Sequence, residues 1–222
     1  MDWQALILSL KLGALTVALL LPPAVLLGRW LATTRWPGKP LVEALVVVPL
    51  VLPPTVVGFY LLAAMGPNAA IGRIWTALFG DGLVFSFQGL VVASVIVNIP
   101  FAVQPAQRAF EAVGSALRAA AATCGLGPWA AFRQVELPLA APGILTGAIL
   151  AFAHTLGEFG VVLMVGGAIP GETRTLALSI YDRVQALDTT GASAMAALLL
   201  LVSLSAVGLT FLLTRRHPGV GA

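Results

Sequence analysis

Uncharged, largely apolar stretches recur along the chain at 44–72, 82–107, 137–157 (with His154 counted as neutral) and 189–214. Each reaches the roughly 20 apolar residues needed to cross a bilayer. A further stretch, 12–28, lies between Lys11 and Arg29, and extended through Ala5–Leu31 it is also long enough to span. The preceding Met1-Asp2-Trp3 lacks a basic n-region, and no small-x-small cleavage site follows Arg29. This stretch therefore reads as the first membrane helix, not as a signal peptide. The pattern predicts an all-α integral membrane fold with about five transmembrane helices, near 5–31, 42–66, 83–105, 138–164 and 190–213, in a single transmembrane domain covering 1–222.

Two stretches break the pattern. Residues 66–81 read as a turn with a short helix. Residues 159–188 pass from apolar (Val161–Gly167) to polar (Pro170 through Thr175) and back to apolar (Leu176–Ile180). A re-entrant or broken segment fits that order, and such backbone survives at membrane depth only when lined by protein or water. The second span holds Pro49, Pro53 and Pro54. Interior proline removes a helix hydrogen bond, so a bend near the middle of this span is expected.

Composition agrees: 59% of the 222 residues are hydrophobic and 9% are charged, against about 25% charged in a soluble domain. A soluble enzyme and a disordered chain are excluded. The net charge is +3, but the 12 Lys and Arg residues form no run longer than Arg215-Arg216, so the charge does not read as a nucleic-acid surface. It reads as topology. With 106–137 in the cytoplasm, Arg29, Arg35, Lys39, Arg108, Arg118, Arg133, Arg215 and Arg216 lie inside, and Lys11, Arg73, Arg174 and Arg183 outside. Eight against four favours an outside N-terminus and a cytoplasmic C-terminus.

The 106–137 segment is the most informative. Phe110, Val113, Leu117, Ala120, Ala121 and Cys124 recur at helical steps, with Arg108, Glu111 and Arg118 between them; this predicts one apolar helical face. Gly125-Leu126-Gly127-Pro128 then stops one helix and starts another. Trp129 and Phe132 give the second helix its own apolar side, and Leu137-Pro138 enters the fourth span. Two readings stand: a capped loop packed on its own membrane helices, or a docking knob for a cytosolic partner.

Ala119-Ala120-Ala121, Gly125, Val135, Leu137 and Pro138 stand at the spacing of the E-A-A-x3-G-x9-I-x-L-P loop of ABC importer permeases, with Ala119, or Arg118 if the loop is shifted by one, in place of its glutamate and Val135 in place of its isoleucine. Leu52-Pro53-Pro54-Thr55-Val56-Val57-Gly58, Leu156-Gly157-Glu158-Phe159-Gly160 and Ile169 through Thr175 extend the resemblance over nearly the whole chain, to the permease subunits of molybdate transporters. Sulfate/thiosulfate permeases are the nearest alternative. The resemblance implies a type I importer permease fold in the bacterial inner membrane and a homodimeric pore. It also implies a dimer of ATP-binding subunits, carrying ATP and magnesium, docked on the cytoplasmic elbows, and an oxyanion-binding protein on the outer face. Coupling to the ATPase would fall to Ala119, Ala120, Ala121, Gly125, Leu126, Gly127, Trp129, Phe132, Val135, Leu137 and Pro138. Deleting Leu126–Phe132 is then expected to abolish ATPase binding and leave the membrane dimer intact.

The remaining chemistry is sparse. The chain has no G-x-x-x-x-G-K-[ST] loop, so it cannot hold ATP in the P-loop manner, and no cofactor is expected in it. Cys124 is the single cysteine, and beyond His154 the only histidine is His217 in the tail; no metal site is expected. The same shortage leaves Ser193, in the small-residue run 191–197, without a base for an intramembrane protease, so that run reads as a helix-packing surface. His154 and Glu158 share a helical face in the fourth span. Glu158 would repel an anion, and bracing of the helix break at Gly157–Gly160 is the favoured reading. Pro53, Pro54, Thr55, Gly157, Glu158 and Arg174 are the candidates for the translocation pathway or its support, with Arg174 open as an oxyanion clamp or as part of a docking face. A stand-alone secondary transporter is the rival class. It would need coupling charges in the spans and an internal repeat, and Glu158 is the sole acid placed for it.

Overall fold

The computed structural model describes residues 2–215 and contains helices joined by short turns. The orientation charge Arg216 and the tail His217 lie outside the described residues. Helix α1 (Trp3–Thr33) starts at Asp2, whose carboxylate accepts from the Ala5 N–H. Next come α2 (Lys39–Val51), α3 (Pro54–Met65) and the short α4 (Ala70–Phe79). Helix α5 (Phe87–Thr123) leads to α6 (Pro128–Ala131), a π-helical turn (Phe132–Glu136) and α7 (Leu137–Gly157). After the broken segment, α8 (Gly160–Gly166) and α9 (Leu176–Gln185), the described chain ends with α10 (Thr189–Arg215).

Among the described residues four helical segments are long and apolar enough to cross a membrane: 3–33, 87–123, 128–157 and 189–209. The α2–α3 pair makes a fifth if it is one span. This pair is the proline-bearing second span, and it bends by 107°. The cause is local: Leu52 and Pro53 are extended, and Pro54 opens α3 at a first-turn position, where proline needs no N–H partner. The expected short helix of 66–81 is α4. Between α7 and α10 there is no further full span; α8 has 7 residues and α9 has 10.

Helices α1, α5 and α7 form the centre, where Leu20, Ala24, Leu31, Ala102, Val103 and Ala151 are buried together. Close approach depends on small residues. A Cβ on Gly28 of α1 would lie 2.9 Å from the Gln107 backbone nitrogen of α5, and one on Gly147 of α7 would lie 3.1 Å from the Ala102 carbonyl oxygen. Small residues at such crossings let helix backbones touch where lipid offers no hydrophobic drive.

Two sequence expectations are corrected. No helix end separates the third span from the segment after 105: α5 runs on, with Pro100 and Pro105 inside it, and reaches Thr123 across a break at Gly114. Nor does one apolar face run from Phe110 to Cys124, because Gly114 breaks the helical conformation with φ 72°. Phe110 on the near side is buried, while Leu117 and Cys124 beyond the break are exposed.

Candidate coupling elbow and pathway residues

The elbow is assembled from local signals. Beyond Gly114, the outer arm of α5 closes where the Leu126 N–H reaches the Ala121 carbonyl, at 3.1 Å, and Gly125 takes φ 81°. This is the glycine-terminated helix end expected where the backbone turns left-handed, a conformation that side chains disfavour. Pro128 then starts α6, and the π turn feeds directly into α7. Of the coupling candidates, Ala119, Ala120, Gly125, Gly127, Trp129 and Pro138 are exposed; Leu126, Val135 and Leu137 are half-buried; Ala121 and Phe132 are buried. Trp129 is 68% exposed. Phe132 faces inward, as the packed-loop reading has it, while Trp129 is displayed as the docking-knob reading requires. The Phe132 ring lies 6.2 Å from the Phe110 ring and 5.2 Å from the Trp129 ring, in a cluster with Ala106, Ala140 and Ile144. A four-residue helix leaves too few positions for the sequence to tell its inner face from its outer one.

Charges fasten this end of the molecule. Lys39 lies 3.5 Å from Glu43 and 4.0 Å from Glu111, and the Gln107 amide donates to both carboxylates at 2.7 and 2.9 Å. Arg108 pairs with Glu111 at 3.1 Å. Arg29 forms a two-pronged pair with buried Glu136, Nε to Oε2 at 2.8 Å and Nη2 to Oε1 at 2.9 Å. Neither Arg29 nor Glu136 stands out in the sequence, because the partners are 107 positions apart.

The two motif-bearing helix breaks meet in space. Helix α7 ends at Gly157, Glu158 is extended, and α8 begins at Gly160. A Cβ on Gly160 would sit 2.8 Å from the Pro54 Cβ, and one on Gly58 would sit 2.8 Å from the Met164 Cβ. The α2–α3 corner thus rests directly on the α7–α8 corner. Pro53, Pro54, Thr55 and Gly157 are exposed here, whereas Glu158 is buried. Its Oε1 accepts from the Val161 N–H at 3.0 Å, capping α8, and its Oε2 is 3.5 Å from His154 Nε2.

The polar chain continues inward. His154 Nδ1 is 3.2 Å from Asn98 Oδ1, and the Asn98 amide donates to the Ser94 carbonyl at 2.7 Å and to the Thr155 hydroxyl at 3.0 Å. The Phe101 ring stacks on His154 at 4.2 Å. Neither Asn98 nor Thr155 stands out in the sequence. Asn98 is the one asparagine of the uncharged 82–107 stretch, and that was the available signal, since polar side chains inside a membrane need partners. The cap makes a separable expectation. Glu158→Gln keeps an oxygen for the Val161 N–H and should retain stability and uptake, whereas Glu158→Ala should cost about 1 kcal/mol in detergent unfolding. Uptake lost in a fully assembled Glu158→Gln protein would show instead that the charge takes part.

Arg174 belongs to a different place. With Asp2, Trp3, Gln4, Ser179, Asp182, Arg183 and Asp188 it lines a cleft of about 660 Å³ at the other end of α1 from the elbow. Arg174 is 3.5 Å from Asp182. Its neighbours Thr173 and Thr175 are buried: Thr173 donates to the Gly166 carbonyl and Thr175 caps α9. They brace the loop and do not extend a clamp. Burial alone would raise the Asp2 carboxyl, but the Ala5 N–H, the Ser179 hydroxyl and the nearby Arg174 and Arg183 outweigh it and hold it below its ordinary value. Asp188 is lowered by the Gly191 N–H and by Arg183. A lowered carboxyl stabilises the fold above its ordinary pKa and loses that contribution only as pH falls through the folded value. This face therefore stays fastened at neutral pH and loosens only in acid.

An elbow at one end of a set of apolar helices, with two broken corners packed together among them, defines a membrane component. The chain belongs to the family described as binding-protein-dependent transport system inner membrane components, whose model matches residues 24–217. It is a multi-pass inner-membrane permease subunit of an ABC importer. It is 52% identical to the molybdenum transport system permease protein ModB of Azotobacter vinelandii over 187 residues, covering 84% of this chain and 83% of that one. To the sulfate transport system permease protein CysT of Escherichia coli K12 it is 36% identical over 180 residues, 81% of this chain and 65% of that one. A bacterial ABC transporter involved in the import of alginate shares the fold, with TM-score 0.77 at 18% identity, over 97% of this chain and 79% of that one.

Proposed function

We propose that this chain is the membrane-spanning subunit of an importer that moves a tetrahedral oxyanion, molybdate, into the cytoplasm, driven by ATP hydrolysis in a separate subunit. The whole chain acts as one transmembrane domain, with the N-terminus outside and the C-terminus in the cytoplasm. Two copies form the pore, and an ATP-binding dimer holding ATP and magnesium docks on their elbows. A molybdate-binding protein meets the outer face, where the charged cleft around Arg174 lies. The observation that carries this reading is the elbow, which places exposed Trp129 beyond the ends of α5 and α7. Molybdate is favoured over sulfate by the higher identity to the molybdenum permease.

In this mechanism the ATPase dimer closes and moves the two elbows. The spans then exchange between outward- and inward-open arrangements, a two-state equilibrium biased by ATP. The exposed strip of Pro53, Pro54, Thr55 and Gly157 would face the path between the copies. Glu158 braces the path by capping α8 and need not touch the anion. The selecting site resides mainly in the binding protein. The test is ATP hydrolysis by the purified complex: it should rise on adding the molybdate-loaded binding protein. Hydrolysis indifferent to that protein would count against the reading.

A further inference from the structure

The pair of half-buried Arg29 and buried Glu136 joins the elbow to a helix that the elbow does not adjoin in sequence. Glu136 ends the π turn, is 2% exposed, and precedes the first residue of α7. Arg29 comes from the elbow end of α1 and meets both carboxylate oxygens at 2.8 and 2.9 Å. Its guanidinium also lies over the Phe132 ring, 4.9 Å from the centroid. The π turn thus offers Arg29 an aromatic face and a carboxylate on one side. Phe132 in turn contacts Trp129, the exposed residue of α6. The adjacent Gly28 brings the α1 backbone onto that of α5. A continuous set of contacts therefore runs from Trp129 through Phe132 and Arg29 into α1. An arginine held at two points and stacked on a ring resists both sliding and rotation, as a single-point lysine contact does not.

We propose that Arg29–Glu136 is the clamp that transmits elbow movement to α1, so that α1 and α7 move as one body when the ATPase closes. The inference rests on the importer reading above. Arg29 and Glu136 act as positioning residues; neither touches the anion or ATP.

The experiment uses the complete complex with its ATPase and binding protein in proteoliposomes, and measures molybdate imported per ATP hydrolysed. Expected is a ratio about tenfold lower for Arg29→Gln and for Glu136→Gln, a size typical of coupling between distant sites. The double variant should be no worse than either single one, because both remove the same clamp. If Glu136→Gln is not recovered from membranes, Arg29→Lys decides: it keeps the charge, loses the two-point grip, and should still lower the ratio. An unchanged ratio, with import and hydrolysis falling together, would mean a purely structural pair and overturn the proposal. Losses that multiply in the double variant would overturn it as well. A wild-type complex that hydrolyses ATP without importing molybdate refutes the importer reading, an outcome distinct from failure of the clamp.

Discussion

Trp129→Asp is expected to weaken binding of the ATP-hydrolysing subunit about a hundredfold, in the range seen when an interface tryptophan is lost. Uptake should fall with it, while the variant inserts and unfolds like the wild type. The physical reason is exposure: at 68% accessible, Trp129 leaves little of the fold to disturb, and an aspartate there is solvated at no cost in the free chain. Phe132→Ala should behave in the opposite way. Its ring is 6% exposed, so truncation removes packing against Phe110 and Ile144 and should cost about 3–5 kcal/mol in stability. The deletion of residues 126–132 is a poorer test than the sequence suggests, because it removes this buried ring together with the exposed one. Pull-down of the ATPase and detergent unfolding, run on both point variants, separate docking from folding. Equal ATPase affinity in Trp129→Asp would remove the docking role of the elbow.

Gly160→Leu is expected to stop uptake almost completely while the ATPase remains bound. The new Cβ would start 2.8 Å from the Pro54 Cβ, which forces the α2–α3 corner away from α8. Overpacking of this kind costs about 1–3 kcal/mol, and here the displacement falls on the two breaks that flank the proposed path. Gly157→Ala, three residues earlier, is the matched control. Nothing stands within 4 Å of its added Cβ, so stability and the contact between the corners should be retained. Transport and thermal unfolding measured on both variants decide the point. A Gly160→Leu protein that transports normally would show that the contact between the corners has no part in the transport cycle.

How much of this was legible in the sequence depended on how local each cause is. The bend at Pro53–Pro54, the stop at Gly125 and the start at Pro128 are written in single residues, because proline and glycine act on their own backbone. The α8 cap by Glu158 was readable for the same reason, since carboxylate and N–H are three residues apart. The continuation of α5 past 105 was hidden by its charges. Arg108 and Glu111 suggested a separate surface segment, whereas in the fold Glu111 meets Arg108 and Gln107 on the same continuing helix and Lys39 at the start of α2. Gly114 gave no warning as strong as the Gly-Leu-Gly-Pro run at 125–128. The Arg29–Glu136 clamp and the meeting of Pro54 with Gly160 arise only from tertiary packing, which no spacing rule records.

The central claim is that this chain forms the path for an oxyanion and draws its energy from an attached ATPase. The most direct test is uptake of labelled molybdate into proteoliposomes holding this chain and its ATPase subunit, with ATP enclosed on the elbow side and loaded binding protein outside. Accumulation should require ATP and the binding protein together, and excess sulfate should compete poorly. Accumulation driven by an imposed ion gradient in the absence of ATP would contradict it.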